Sequence, residues 1–187
     1  METFTQSKPL VSNPLYQEQR AESLCRLDIN TIDAPIIEII RDFAKLPYCF
    51  TLQSCYGHFL YNDRNDPRNT EPLTDLDESH TVEYRIAYIA LCIQNSESGV
   101  ELLQDLREFT RIDPEYVQFG CGEWFWERQV NSYALQIEPE RYKTKDKAIV
   151  SPQEALHIEK VRNQFFDELK RMVQERVNDM ERIEKQL

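Results

Sequence analysis

Glycine is scarce in this chain: only four occur in 187 residues. No GxGxxG and no P-loop is present, which excludes the common glycine-rich cradles for dinucleotides and triphosphates. No HExxH occurs, so the helical zinc-protease motif is excluded as well. The five cysteines include no CxxC pair, which rules out a zinc ribbon and a thioredoxin-type redox motif. No apolar run approaches the ~18 residues needed to span a membrane. The polar stretch from Met1 to Pro14 has no signal-peptide apolar region, so the chain reads as cytoplasmic, with free and mostly buried thiols. Basic charge is in deficit: 22 Lys and Arg stand against 33 Asp and Glu, a formal net charge of -11. Such a surface repels phosphate backbones, which disfavours broad nucleic-acid binding. The alternating cations Arg141, Lys143, Lys145 and Lys147 are the one local exception and read as a solvated linker.

What is present suits a packed core. Hydrophobic residues make up 41% of the chain. A chain of this length buries roughly 70% of its unfolded surface, so neither disulfide nor structural metal is required. The expected organisation is one domain over residues 1–150 and a long C-terminal helix over 151–187.

The pattern alternates between periods. A helix is expected over Leu15 to Leu27, and a stronger one from Pro35, capped by Thr31 or Asp33 and stopped by Pro47. A strand over 48–54 follows. Residues 61–80 form a polar loop with six acids, two arginines and two prolines, long enough to act as a lid. Val82 to Ile93 reads as one central strand, and Ser96 or Ser98 caps a helix through Phe109. A strand through Val117 and Phe119 ends at Gly120-Cys121-Gly122, an extended segment carries Trp124 and Trp126 on one face, and Val130 to Ile137 is again a strand. Ser151-Pro152-Gln153-Glu154 is a capping box with proline at the first helical position. It opens a helix running to about Lys185, whose second half is thin in large apolar groups and suits pairing with a second copy. The expected fold class is α+β, a mixed sheet with helices packed on it.

A weak internal repeat accompanies this order. Helix, proline, strand, cysteine beside glycine, then aromatics occurs at 35–61 and again at 99–126. Three of the four glycines, Gly57, Gly120 and Gly122, lie beside Cys55 and Cys121. Two such turns facing each other would make a pseudo-symmetric site.

Potential chemistry concentrates at Thr51-x-x-Ser54-Cys55-x-Gly57-His58, where a buried strand runs into a polar turn. Strand ends of this kind present amides, a hydroxyl, a thiol and an imidazole to a small ligand. Ser54, Cys55 and His58 are the catalytic candidates; Thr51, Gly57, Cys121, Trp124 and Trp126 are the candidates for holding a ligand. The two tryptophans suit stacking on a planar group, or a core aromatic ladder. Cys55 and His58 form the sole closely spaced ligand pair, with His80 and Cys121 as distant additions, so a metal is not expected.

This stretch resembles the wybutosine-synthesising methyltransferase family, which acts on a tricyclic guanosine of phenylalanine tRNA. That family has a strand running into Ser-Cys-x-Gly-Arg, matched here by Thr51, Ser54, Cys55 and Gly57. The strand Ile86 to Ile93, the helix 97–109 and the charged C-terminal helix extend the resemblance over 35–185. It implies an α+β domain built partly from duplicated units, S-adenosylmethionine as cofactor and tRNA as partner. His58 stands where the family has Arg, and Gln53 where it has Ser.

Overall fold

The structure, a computed structural model, describes residues 7–61, 64, 66–74, 76, 81–142 and 147–185. Its elements run α1 (Tyr16–Arg26), α2 (Ile37–Lys45), β1 (Cys49–Cys55), β2 (His58–Leu60), β3 (Val82–Arg85), β4 (Ala87–Ile93), α3 (Glu97–Glu108), β5 (Val117–Gly120), α4 (Glu123–Arg128), β6 (Ser132–Ile137), β7 (Lys147–Val150) and α5 (Pro152–Glu184). The fold is α+β. A four-stranded sheet in the order β1-β4-β6-β5 adjoins a three-stranded sheet in the order β2-β3-β7.

Every strand pairing among the described residues is antiparallel, so the expected mixed sheet is corrected. The physical reason lies in the connections. Helix α3 carries the chain from β4 across to β5, a crossover of the kind that makes parallel pairs. Strand β6 then returns into the slot between them, and both neighbours bond to it instead.

The expected strand over 82–93 breaks at Ile86 into β3 and β4, which belong to different sheets. The Tyr84 hydroxyl bridges the break. It accepts from the Ala87 amide at 2.9 Å and donates to the Ile137 carbonyl at 2.9 Å. The stretch read as a basic linker ends in β7, whose Lys147 pairs with Glu83 of β3 at 2.7 Å; Lys143 and Lys145 lie outside the described residues.

Helices α1, α2, α3 and α5 form where the periodicity places them. Ile39, Ile40 and Phe43 of α2 are buried on one face. In α3, Ser96 caps by accepting from the Gly99 amide, and Leu102, Leu103 and Leu106 are buried. Ser151 caps α5 by accepting from the Glu154 amide at 3.2 Å. The stripe Ile158, Val161, Phe165, Leu169, Val173 and Val177 is buried in the main core together with α2, α3 and the sheet. This stripe of α5 is thus covered by the chain's own core as far as Val177, while Leu156 and Ile183 are exposed. A second, small cluster of Tyr16, Phe50 and Cys92 lies under α1. Because side chains alternate across a strand, Cys49 and Phe50 point to opposite faces, and α1 covers the face away from the main core.

The internal repeat holds as an order of elements. In α2-β1-β4 and in α3-β5-β6 a helix leads to an edge strand that pairs with a central one. The palindromic strand order relates the two units by an approximate two-fold rotation, which sends the ends of the two edge strands to opposite ends of the sheet.

Candidate ligand site at the end of the first strand

The turn between β1 and β2 is built around Gly57. Its φ is +88°, a region that favours glycine. A Cβ there would lie 2.8 Å from the Ala87 Cβ. The turn is held from below by Arg162 of α5, which is 2% exposed. Its Nη1 donates to the Gly57 carbonyl at 3.0 Å, and the guanidinium lies 4.1 Å from the centroid of the Tyr56 ring and 5.1 Å from that of Phe59. Tyr56 donates through its hydroxyl to Asn163 of the same helix at 2.9 Å.

Within this frame three unlike side chains converge. Asp33, Cys55 and His58 bring one carboxylate oxygen, Sγ and a ring nitrogen to within 4.8 Å of one another. The imidazole is 6% exposed. Its Nδ1 donates to the Asn69 carbonyl at 3.0 Å, and its Nε2 lies 3.4 Å from Asp33 Oδ2. The Tyr56 amide donates to the same Asp33 oxygen at 2.7 Å, and the Gly57 amide to Cys55 Sγ at 3.4 Å. With acceptors at both nitrogens, the ring favours its protonated form. The Asp33 hydrogen bond, then the one to Cys55, raise the His58 pKa to about 10 despite burial, which acts the other way. Burial pushes Asp33 upward, but the His58 hydrogen bond and the Tyr56 amide outweigh it and hold the carboxyl below its ordinary range.

Asp33 was legible in the sequence only as a helix cap. It does occupy the N-cap position of the 3₁₀ turn that leads into α2, yet its side chain makes no capping bond. The carboxylate is directed to the β1–β2 turn instead. No local spacing could reveal this, since Asp33 and Cys55 meet only through the tertiary fold. Asn69 belongs to the loop expected as a lid. The described part of that loop is docked: its Leu73 is buried, and the Leu73 amide donates to Glu159 of α5 at 2.9 Å.

Beside this cluster a groove of about 630 Å³ runs between α1 and the edge strand β1. Thr51, Gln53, Ser54 and Tyr88 form its strand side; Glu22, Ser23, Arg26, Asp28 and Thr31 form its helix side. α1 caps the outward carbonyls of the edge strand, with Arg20 Nε donating to Cys49 and Ser23 Oγ to Thr51. Ile32 and Ser54 line the groove, and the next residue on each segment, Asp33 and Cys55, belongs to the cluster. Groove and cluster therefore adjoin.

Of the expected site residues, Thr51, Ser54, Cys55, Gly57 and His58 gather here. Cys121, Trp124 and Trp126 do not. Cys55 aligns across the sheet with Tyr88, Gln136 and Gln118, so Cys121 lies on the opposite edge and further along it. Three strand spacings separate the edges, roughly 14 Å. Cys121 is buried there, where burial pushes its thiol up and its Sγ accepts from the Lys8 amide at 3.2 Å. The two turns do not face each other, and Cys121 cannot be a ligand partner of Cys55. The tryptophans lie on α4, not on an extended segment, so they do not share a face. Trp126 packs edge-on against Tyr133, and Trp124 is exposed beneath the Arg128 guanidinium at 3.6 Å. The Gly122 carbonyl, which accepts from Phe125 and Trp126 amides, starts this helical turn. His80, the other distant ligand candidate, lies outside the described residues. His157 is on the surface of α5, 2.9 Å from Asp113.

No family model matches the chain, and no curated protein matches it. Among solved structures the chain is similar to that of the PH1069 protein from Pyrococcus horikoshii, at 14% identity and a TM-score of 0.48. The match covers 88% of this chain and 94% of that one. Among the described residues no helix is long and apolar enough to cross a membrane.

Proposed function

We propose that the groove along β1 binds a small ligand of the nucleoside class, S-adenosylmethionine first among them, in a divergent methyltransferase-like domain. The observation that carries this reading is the placement of Thr51 and Ser54, two residues of the Ser-Cys-x-Gly match, in the wall of a cavity of about 630 Å³. Ligand pockets fall in the range of about 300–1,000 Å³. The lining chemistry supports the class. Tyr88 offers a ring face for a base, and its hydroxyl donates to the Gln53 amide oxygen at 3.3 Å. Amides of this kind read the polar edge of a base. Glu22 and Asp28 supply acceptors suited to ribose hydroxyls and to a sulfonium charge. Arg26 is the sole cation among the lining residues and is already paired with Glu22. The groove therefore favours a neutral or cationic nucleoside over a nucleotide phosphate. The enzyme reading rests on this strand end alone, since Cys121 and the tryptophans stand elsewhere.

Calorimetry and thermal denaturation with S-adenosylmethionine and with adenosine test it. Saturable heat and a raised Tm are expected, equivalent to about 2.7 kcal/mol at a ligand concentration a hundred times Kd. Ser54→Trp, which fills the groove, should abolish both. Absence of heat and shift with either ligand removes the reading.

A further inference from the structure

We propose that Asp33, Cys55 and His58 form a binding site for one divalent transition-metal ion of the zinc class, at the end of the groove. The inference goes beyond the groove reading and stands without it. The argument is geometric. Zinc bonds of about 2.0–2.3 Å in a tetrahedral shell place neighbouring donor atoms roughly 3.3–3.8 Å apart. His58 Nε2 and Asp33 Oδ2 already stand 3.4 Å apart, and Cys55 Sγ completes a triangle in which all three atoms lie within 4.8 Å. Modest side-chain rotation closes that triangle on an ion.

The surroundings have the form that metal sites require. A ligating histidine donates its other ring N–H to a carbonyl or carboxylate, which fixes the tautomer and aims the free nitrogen at the ion. His58 does this through Nδ1 to the Asn69 carbonyl at 3.0 Å. The other two donors are likewise oriented, Asp33 by the Tyr56 amide and Cys55 by the Gly57 amide. One thiolate and one carboxylate neutralise a divalent cation. The mixed nitrogen, sulfur and oxygen set suits Zn²⁺ and its analogue Co²⁺ better than Mg²⁺ or Ca²⁺, which take oxygen shells. Three protein donors leave a fourth position for water or a ligand, the pattern of catalytic rather than structural zinc. Asp33 and Cys55 are partly exposed, which opens that position outward. On binding, the ion replaces the proton that Nε2 directs to Asp33 and the thiol proton of Cys55, and both leave to solvent.

The test uses the full chain, stripped with chelator and then titrated with Zn²⁺ against a chromophoric chelator, and separately with Co²⁺ under visible and near-ultraviolet absorption. One equivalent of Zn²⁺ is expected, and a Co²⁺ spectrum with tetrahedral d–d bands and a thiolate charge-transfer band. Cys55→Ser should remove the charge-transfer band, and His58→Asn and Asp33→Asn should each weaken affinity at least a hundredfold. That exceeds the roughly 10–100-fold typical of an outer-shell change. Cys25→Ser and Cys121→Ser should leave both readings unchanged. Circular dichroism identifies any variant that fails to fold, and the Co²⁺ spectrum of the unmutated protein decides the matter regardless of the variants. A stoichiometry well below one, a Co²⁺ spectrum without the thiolate band, or equal binding by Cys55→Ser overturns the proposal. The triad would then be an imidazolium–carboxylate pair beside the Cys55 side chain.

Discussion

At the scale of single residues, the β1–β2 turn depends on two that reach it from different causes. Gly57 is required by backbone geometry, because its φ of +88° and the 2.8 Å that would separate an added Cβ from that of Ala87 exclude a side chain. Gly57→Ala should cost about 1–3 kcal/mol, lowering Tm by roughly 3–10 °C, as a thermal melt would read. Arg162 is required by satisfaction of polar groups. It fills the acceptor needs of the Gly57 carbonyl, the Asn163 side chain and, at 3.5 Å, Glu159. Arg162→Ala leaves a buried carbonyl without its donor and removes the cation from the Tyr56 ring, a loss of about 1–3 kcal/mol. A denaturant titration checks it, and a loss below about 0.5 kcal/mol would show that the turn holds without α5. Trp124 offers the contrast. Being 38% exposed and flanked by Arg128 and Phe125, it should tolerate Trp124→Ala with a change under about 1 kcal/mol.

At the scale of elements, α5 is a supporting beam. It is 33 residues long, starts at the Ser151 cap and Pro152, and presents Arg162 and Asn163 to the turn, Glu159 to the docked loop and the apolar stripe to α2 and the sheet. Its start is local chemistry, so Ser151→Ala should cost about 1 kcal/mol and lower Tm by roughly 2–4 °C without altering ligand or metal binding. Helix α1 has a different task. It covers the outer face of β1 and occupies part of its open edge through Arg20 and Ser23, leaving the groove where Thr51, Gln53 and Ser54 follow. A sheet edge is a liability unless covered, and here the covering element also forms one wall of the cavity.

At the scale of the whole molecule, the C-terminal helix is inseparable from the core it completes. A chain ending at Val150 loses Ala155, Ile158, Val161, Phe165, Phe166, Leu169, Val173 and Val177, all buried. Each large apolar side chain contributes about 1.5–3 kcal/mol by burial, and their sum, roughly 10–20 kcal/mol, is as large as the 5–15 kcal/mol that holds a domain folded. That chain should show no cooperative melt. One ending at Glu181 loses no buried side chain among the described residues and should melt within about 2 °C of the full chain. Equal cooperativity in both would mean that α5 is an appendage.

Local signals carried much of this molecule. The α+β class, the capped helices α3 and α5, a strand over 48–54 and the gathering of Thr51, Ser54, Gly57 and His58 were legible from sequence, because caps, periods and turns act over a few neighbouring residues. The repeat was legible as an order of elements but not as a facing pair of turns, since strand order and the two-fold relation are properties of the assembled sheet. The break at Ile86 was hidden because an apolar run reads alike whether it serves one sheet or two. Glu123 to Glu127 reads as a strand by its aromatic content, yet Gly122 and its carbonyl set it as a short helix. Asp33, Asn69 and Arg162 are distant in the chain from Cys55 and His58, and no spacing rule connects them. Sequence determined that a hydroxyl, a thiol, a glycine and an imidazole follow one another at the end of β1. Only the tertiary structure decided which groups surround the His58 imidazole, Asp33 and the Asn69 carbonyl among them, because the partners of a buried side chain are chosen by long-range packing.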